Sequence, residues 1–118
     1  MTEWRVSLRM TENQGTEKLL TSLGLCARAG RTVIGAPQII DAMRKGGKNA
    51  PVLVLEAADT SENTHKRLTD KCSYYKTRHV RLDCSGERLA AAVGKSASLA
   101  AVAVTDAGIC RAVEKYLT

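Results

Sequence analysis

Residues 26–43 read CARAGRTVIGAPQIIDAM, and this segment joins two helix-like stretches through a short strand that carries no catalytic side chain. The β-branched residues 32–34 predict the strand. Pro37 follows the small residues Gly35 and Ala36 and is typical of the first turn of a helix. Small residues at such a turn also let an anion approach the first backbone N–H groups of the helix. These residues therefore form the turn from strand to helix, contact a phosphate group, or do both.

Helix and strand signals alternate on both sides of this segment. Upstream, an apolar stripe predicts a helix over residues 16–29, with Thr16 as its N-cap and Gly30 just beyond its end. Downstream, Pro37 begins a helix that Gly46 ends. The side chains that this second helix is expected to bury are Ile39, Ile40 and Met43.

The rest of the chain repeats this pattern. Further strands are predicted over residues 52–55, 79–82 and 99–105, and further helices are expected to be capped by Ser61, Ser85 and Asp106. The inward positions predicted for these helices are Leu68, Cys72, Tyr75, Leu89, Ala92, Val93, Ile109, Cys110, Val113 and Leu117. The predicted fold class is α/β, a three-layer α-β-α sandwich around a small mixed sheet of about four strands, linked mostly by right-handed crossovers.

The composition indicates one basic domain. The chain has 118 residues, with 18 Lys and Arg against 12 Asp and Glu. Residues 1–15 are predicted to be an N-terminal extension, either an edge strand or a loose tail, and residues 16–118 to form the domain. The charge is concentrated in residues 26–48, which contain five basic side chains and Asp41. This distribution favours a polyanionic partner, although proteins that bind nothing acidic can carry a similar surplus.

Two further features of the chain predict where it acts. No window approaches the roughly 18 continuous apolar residues of a membrane span. No apolar core followed by a small-residue cleavage site is present near the N-terminus. We therefore expect a cytoplasmic protein without a membrane partner.

Few side chains could act as a nucleophile, a base or a metal ligand, and they are His65, His79, Cys72 and Cys84. His65 is expected on a solvated helix surface, and His79 half exposed at the start of a strand. The four cysteines of the chain lack the paired spacing of zinc sites and are predicted to be reduced core thiols. Residues 46–48 lack the Ser or Thr that completes a phosphate loop. The sequence predicts no catalytic residue, metal or cofactor.

Three stretches carry a family resemblance: VIGAPQIIDAMRKGG (33–47), VLVLEAADTSENTHKRLTDKCSYYKTRHVRL (52–82) and ERLAAAVGKSASLAAVAVTDAG (87–108). Together they resemble the L-seven-Ae (L7Ae) family of ribosomal, kink-turn RNA-binding proteins. The short bacterial branch of this family is most similar, since it repeats segments like 70–75 and 94–95. The resemblance covers residues 16–118 and implies an α-β-α sandwich that grips bent RNA.

The resemblance implies that RNA is bound by the start of the second helix, residues 35–38, and by the loop before the last strand, residues 95–99. Together with the basic side chains, the predicted RNA-binding residues are Arg28, Arg31, Gly35, Ala36, Pro37, Gln38, Lys45, Lys48, Lys95, Ser98 and Leu99. Gly35 would permit close backbone approach, Gln38 would read a base edge, and Leu99 would pack on an extruded base.

The chain departs from the family at the start of the second helix. The family's strong RNA binders have a basic residue followed by Gly-Thr-Asn-Glu, with a Lys three residues later. Here the corresponding residues are Ile34, Gly35, Ala36, Pro37, Gln38 and Asp41, so only the glycine is unchanged. Gln38 can still pair with a guanine edge, whereas Asp41 places a negative charge where phosphate would lie.

The leading hypothesis is a non-enzymatic RNA-binding protein of ribosomal-protein type. Its expected partner is a structured RNA, either rRNA or a kink-turn RNA, with association with the ribosome as one setting. The alternative is a protein-interaction module on the same scaffold that has lost specific RNA binding. A thiol- or zinc-dependent enzyme is a third reading, which the missing paired motifs disfavour.

Overall fold

The computed structural model describes residues 16–114. Helix α1 covers residues 16–28. The elements that follow are β1 (Thr32–Ile34), α2 (Ala36–Lys45), a 3₁₀ turn (Gly47–Asn49), β2 (Leu53–Glu56), α3 (Glu62–Tyr75), β3 (Arg78–Arg81), α4 (Gly86–Ala92), β4 (Ala101–Val104) and α5 (Ala107–Glu114). The predicted extension over residues 1–15 and the predicted core position Leu117 lie outside the described residues.

The four strands form one mixed sheet in the order β1-β4-β2-β3. The strands β2 and β3 are parallel and joined through α3, whereas β4 is antiparallel to both of its neighbours. The predicted mixed sheet is therefore confirmed. Two of the three connections, β1–α2–β2 and β2–α3–β3, join strands that run in the same direction, as the expected crossovers require, whereas β3–α4–β4 joins strands that run in opposite directions.

Helices cover both faces of the sheet. Along β2, Leu53 and Leu55 face the core shared with α1, α4 and α5, while Val54 faces the core shared with α2 and α3. On β4, Ala101 and Ala103 face the same side as Val54. Of the predicted core positions, those that are only partly buried are Ile40, Tyr75, Ala92 and Ile109. The three-layer α-β-α sandwich is confirmed.

Three of the predicted helix caps are confirmed and one is wrong. The hydroxyls of Ser61 and Ser85 accept backbone N–H groups at the starts of α3 and α4. The carboxylate of Asp106 accepts those of residues 108 and 109 at the start of α5. Thr16 is instead already helical, and its hydroxyl donates to Asp83 over 2.8 Å. The side chain of Thr16 therefore ties α1 to the segment after β3 rather than capping α1.

Strand boundaries differ from the prediction where a polar residue is buried or an apolar one is not. The side chain of Val52 is 37% exposed and precedes β2, whereas Glu56 is fully buried and ends it. Apolar patterning placed Val52 inside the strand and Glu56 outside it. A buried carboxylate needs hydrogen-bonding partners, so Glu56 marks a site that the pattern did not indicate.

All four cysteines are buried thiols, as predicted. Burial raises the pKa of Cys26 and Cys84, and burial with the nearby charge of Glu56 raises the pKa of Cys72 to about 11. We expect the native thiols to react with Ellman's reagent more slowly than free cysteine near neutral pH, and Cys72 about 100-fold more slowly, because the thiolate is the reactive form. All four should react after unfolding, and a rapid burst from the native protein would contradict this burial.

Candidate nucleic-acid interface

The start of α2 and the segment leading into β4 meet at one end of the sheet. The backbone N–H of Gly35 donates to the carbonyl of Ala101 over 3.0 Å. In the antiparallel pairing of β1 with β4, Ile34 lies opposite Val102. Two segments that are more than 50 residues apart in the chain therefore meet where Gly35 pairs with Ala101, two residues beyond the loop 95–99.

The turn into α2 requires glycine at position 35. Gly35 is the N-cap residue and has a φ of 92°, a conformation that side chains disfavour. A Cβ atom there would also lie 2.6 Å from Oε1 of Gln38, whose amide folds over the turn. The N–H of Gly35 is donated to Ala101 and Pro37 has none, so the first-turn N–H groups left for a ligand are those of Ala36 and Gln38.

The loop before β4 is held by backbone hydrogen bonds. The N–H of Leu99 donates to the carbonyl of Gly86 over 3.0 Å, and the N–H of Ala57 donates to that of Ala100 over 2.8 Å. Side chains 95–98 are exposed, whereas Leu99 is partly buried. The loop thus has a fixed base at the start of α4 and presents Lys95 and Ser98 to solvent.

The predicted basic residues do not all lie at this surface. Because β1 is antiparallel to β4, its other end lies beside Thr105, where the backbone of Arg31 pairs with that of Thr105. Arg31 and Lys48 line one shallow depression there. An extended chain from Arg31 to Gly35 spans about 13 Å, so these two cations flank a different end of the sheet from Gly35 and Lys95.

Two other predicted cations have their own surroundings. Arg28 is exposed at the end of α1 and lines a groove between α1 and α4 that also includes Gly94. Lys45, in the last turn of α2, lies 3.1 Å from the carboxylate of Asp41, and Arg44 lies 2.5 Å from it. Arg44 and Lys45 hold the pKa of Asp41 below its usual range. The negative charge that the sequence placed near RNA phosphate is therefore locally compensated.

A buried polar cluster lies at the end of β2, and sequence reasoning missed it. The carboxylate of Glu56 lies 2.7 Å from Nδ1 of His65 and 2.6 Å from Nε2 of His79, and Nε of Arg81 lies 3.5 Å away. His65 is 38% exposed and His79 only 15% exposed. His79 is less exposed than expected, whereas His65 is partly solvated on the helix surface as expected, and both rings turn toward the buried carboxylate.

A zinc site using both of the cysteines considered above is incompatible with this fold. Cys72 packs in the core between the sheet and helices α2 and α3, whereas Cys84 packs in the core on the opposite side of the sheet. The two histidines face Glu56 on the same side as Cys72. A signal for their cluster does exist in the sequence, since Glu56 directly continues the apolar run of β2.

Comparison with known proteins identifies the family. The model of the Ribosomal protein L7Ae/L30e/S12e/Gadd45 family matches residues 17–113. The chain belongs to this family. The resemblance inferred from the sequence is thus confirmed, and the mixed sheet with helices on both faces agrees with the folds of related L7Ae-like structures.

Individual relatives of the L7Ae family give the degree of similarity. The RNA-binding protein YlxQ of Bacillus subtilis (strain 168) is 41% identical over 86 residues, which is 73% of this chain and 81% of that protein. The RNA-binding protein YlxQ of Enterococcus faecium is 38% identical over 64 residues, covering 53% of this chain and 59% of that one.

Solved structures extend this comparison. A protein of unknown function from Bacillus halodurans C superposes with a TM-score of 0.76 at 31% identity, covering 85% of this chain and 96% of that one. The 15.5kD RNA binding protein of Giardia lamblia superposes with a TM-score of 0.71 at 18% identity, covering 88% and 85%, and shows the shared fold alone. In the described part of the chain, no helix combines the length and apolarity needed to cross a bilayer.

Proposed function

We propose that this protein binds structured RNA, of the kink-turn or ribosomal kind, through residues 35–38 and 95–99, and that it acts by binding rather than by catalysis. The observation that carries the proposal is the hydrogen bond from Gly35 to Ala101, which sets the start of α2 beside the start of β4, two residues beyond the loop 95–99. Support also comes from the relatives of this chain, two of which are named as RNA-binding proteins.

The chemistry of this surface suits RNA better than a small anion. The N–H groups of Ala36 and Gln38 and the side-chain amide of Gln38 can pair with base edges or phosphate. Lys95 supplies positive charge from the adjacent loop, and the partly buried Leu99 offers an apolar contact for an unstacked base. Bent RNA presents all three kinds of group together, namely phosphate, base edge and base face.

The first test measures affinity for a kink-turn RNA and for a control RNA in which Watson–Crick pairs replace the tandem G·A pairs. We expect the kink-turn RNA to bind about tenfold or more tightly than the control, because the bend brings phosphate and base edges to the two segments together. Both affinities should fall as salt rises from about 50 to about 200 mM.

Two lysine variants test the location of the site. Lys95→Gln removes a charge from the proposed surface, whereas Lys48→Gln removes the same charge from the opposite end of the sheet. We expect Lys95→Gln to weaken kink-turn binding severalfold and Lys48→Gln to weaken it less.

In the comparison of the two RNAs, equal and salt-sensitive binding would replace the kink-turn proposal with general RNA binding. Absence of RNA binding would favour the protein-interaction module.

A further inference from the structure

The buried cluster at Glu56 gathers every imidazole of the protein around one carboxylate. The chain contains two histidines, and both lie within hydrogen-bonding distance of Glu56. They come from different elements, His65 from α3 and His79 from β3, while Glu56 ends β2. Potential ligand atoms of all three residues lie within 4.8 Å of one another.

We propose that Glu56, His65 and His79 form a binding site for one divalent transition-metal ion such as Zn²⁺. The ligands would be one carboxylate oxygen, Nδ1 of His65 and Nε2 of His79. Two imidazoles and one carboxylate are a set that zinc takes in sites with an open fourth position. Imidazole nitrogen also favours zinc, copper and nickel over magnesium or calcium. The half-exposed ring of His65 leaves a path from solvent to this position.

Metal binding requires a rearrangement of the distances within the cluster. Ligands in tetrahedral zinc sites lie about 3.3 Å apart when each is about 2.0–2.1 Å from the metal. The carboxylate oxygens of Glu56 now lie 2.6–2.9 Å from the two ring nitrogens. Each ring nitrogen would therefore move about half an ångström away from the carboxylate, and the two nitrogens, which lie within 4.8 Å of each other, would settle about 3.3 Å apart. His65 has room for this movement because 38% of its side chain is exposed.

Metal binding also requires a change of histidine tautomer. In the described state, Nδ1 of His65 and Nε2 of His79 face the carboxylate oxygens of Glu56 and can donate N–H groups to them. A ligating nitrogen must present its lone pair, so each neutral ring would carry its proton on the other nitrogen.

Two neighbours set the expected strength of the site. Nε of Arg81 lies 3.5 Å from the carboxylate of Glu56, and the guanidinium donates to the carbonyl of Ala58 over 3.0 Å. Its positive charge repels a cation and should make the site weaker than a structural zinc site. The buried thiol of Cys72 is not part of this cluster, whose grouped ligand atoms come from Glu56, His65 and His79.

Calorimetric titration of Zn²⁺ into the full chain, freed of any histidine tag and stripped with chelator, tests this site. We expect one equivalent to bind. His65→Gln should weaken the affinity about tenfold or more, because it removes a ligand from a half-exposed position without opening the core. Arg81→Gln should tighten binding severalfold by removing the opposing charge.

A matched control separates this site from adventitious thiol binding. Cys84→Ala removes a thiol on the other side of the sheet and should leave Zn²⁺ affinity unchanged, with circular dichroism confirming that each variant is folded. The absorption spectrum of bound Co²⁺ should change in His79→Gln but not in Cys84→Ala. Failure of the parent protein to bind one equivalent, or unchanged affinity in His65→Gln, would overturn the proposal.

Discussion

Glu56→Ala is expected to lower the free energy of unfolding by about 3 kcal/mol in the presence of chelator. Glu56 is fully buried, and its carboxylate faces His65, His79 and Arg81. Alanine leaves a cavity at the end of β2 and removes the acceptor of a ring N–H on His79, which is only 15% exposed. Since domains of this size are stable by about 5–15 kcal/mol, the loss should be visible in a urea titration.

A graded series separates charge from shape at this position. Glu56→Gln keeps the volume and one acceptor oxygen, so we expect it to cost about half as much as Glu56→Ala. Asp41→Ala is the matched control, because Asp41 also faces two cations but does so at the exposed surface of α2. Exposed ion pairs contribute little, so this variant should unfold with unchanged stability. Equal losses in Asp41→Ala and Glu56→Ala would show that burial of the cluster is not what stabilises the fold.

The sequence was sufficient to predict most of the scaffold because the relevant signals are local. Ser61 and Ser85 indicate the starts of α3 and α4, because each hydroxyl accepts the backbone N–H of the residue three positions later. The strand–turn–helix over residues 32–45 is predicted by β-branched residues followed by Gly35 and Pro37. Such signals act within a few residues and need no knowledge of the rest of the fold.

The direction of β4 and the partners of Glu56 were beyond local reasoning. Both faces of β4 are buried and apolar, so its sequence contains no preference for a parallel or antiparallel neighbour. His65 and His79 lie 9 and 23 residues from Glu56. Their meeting depends on the register that sets Val54 opposite His79 and Glu56 opposite Arg81. That register is a property of the assembled sheet.

The candidate interface gives two examples, one from the family resemblance and one from the clustering of charge. Family resemblance grouped residues 35–38 with 95–99, and the Gly35–Ala101 hydrogen bond sets the start of α2 beside the start of β4, just after that loop, while their joint role in RNA binding stays a prediction. Charge clustering along the chain also placed Arg31 with Gly35, although β1 holds them at its two ends. Closeness in sequence is a poor guide along an extended strand, where four residues cover about 13 Å.

Gly86→Ala is expected to destabilise the protein by about 2 kcal/mol and to weaken binding of kink-turn RNA about tenfold. A Cβ atom at position 86 would lie 2.5 Å from the carbonyl oxygen of Leu99 and 2.5 Å from Oγ of Ser98. The carbonyl of Gly86 also accepts the N–H of Leu99. The loop before β4 must therefore move, and Lys95 and Leu99, which make the proposed RNA contacts, move with it.

Gly24→Ala is the control that separates loss of stability from loss of the RNA surface. A Cβ atom there would lie 2.8 Å from the carbonyl oxygen of Ala92, so it also forces backbone apart, but between α1 and α4. The variant should lose about 1 kcal/mol of stability, because alanine is preferred to glycine inside a helix and this preference offsets part of the steric cost. RNA affinity should fall less than in Gly86→Ala, because Gly24 faces the end of α4 at Ala92 rather than the base of the loop at Gly86. If both variants lost RNA affinity in proportion to their stability, the base of that loop at Gly86 would not be what shapes the RNA surface.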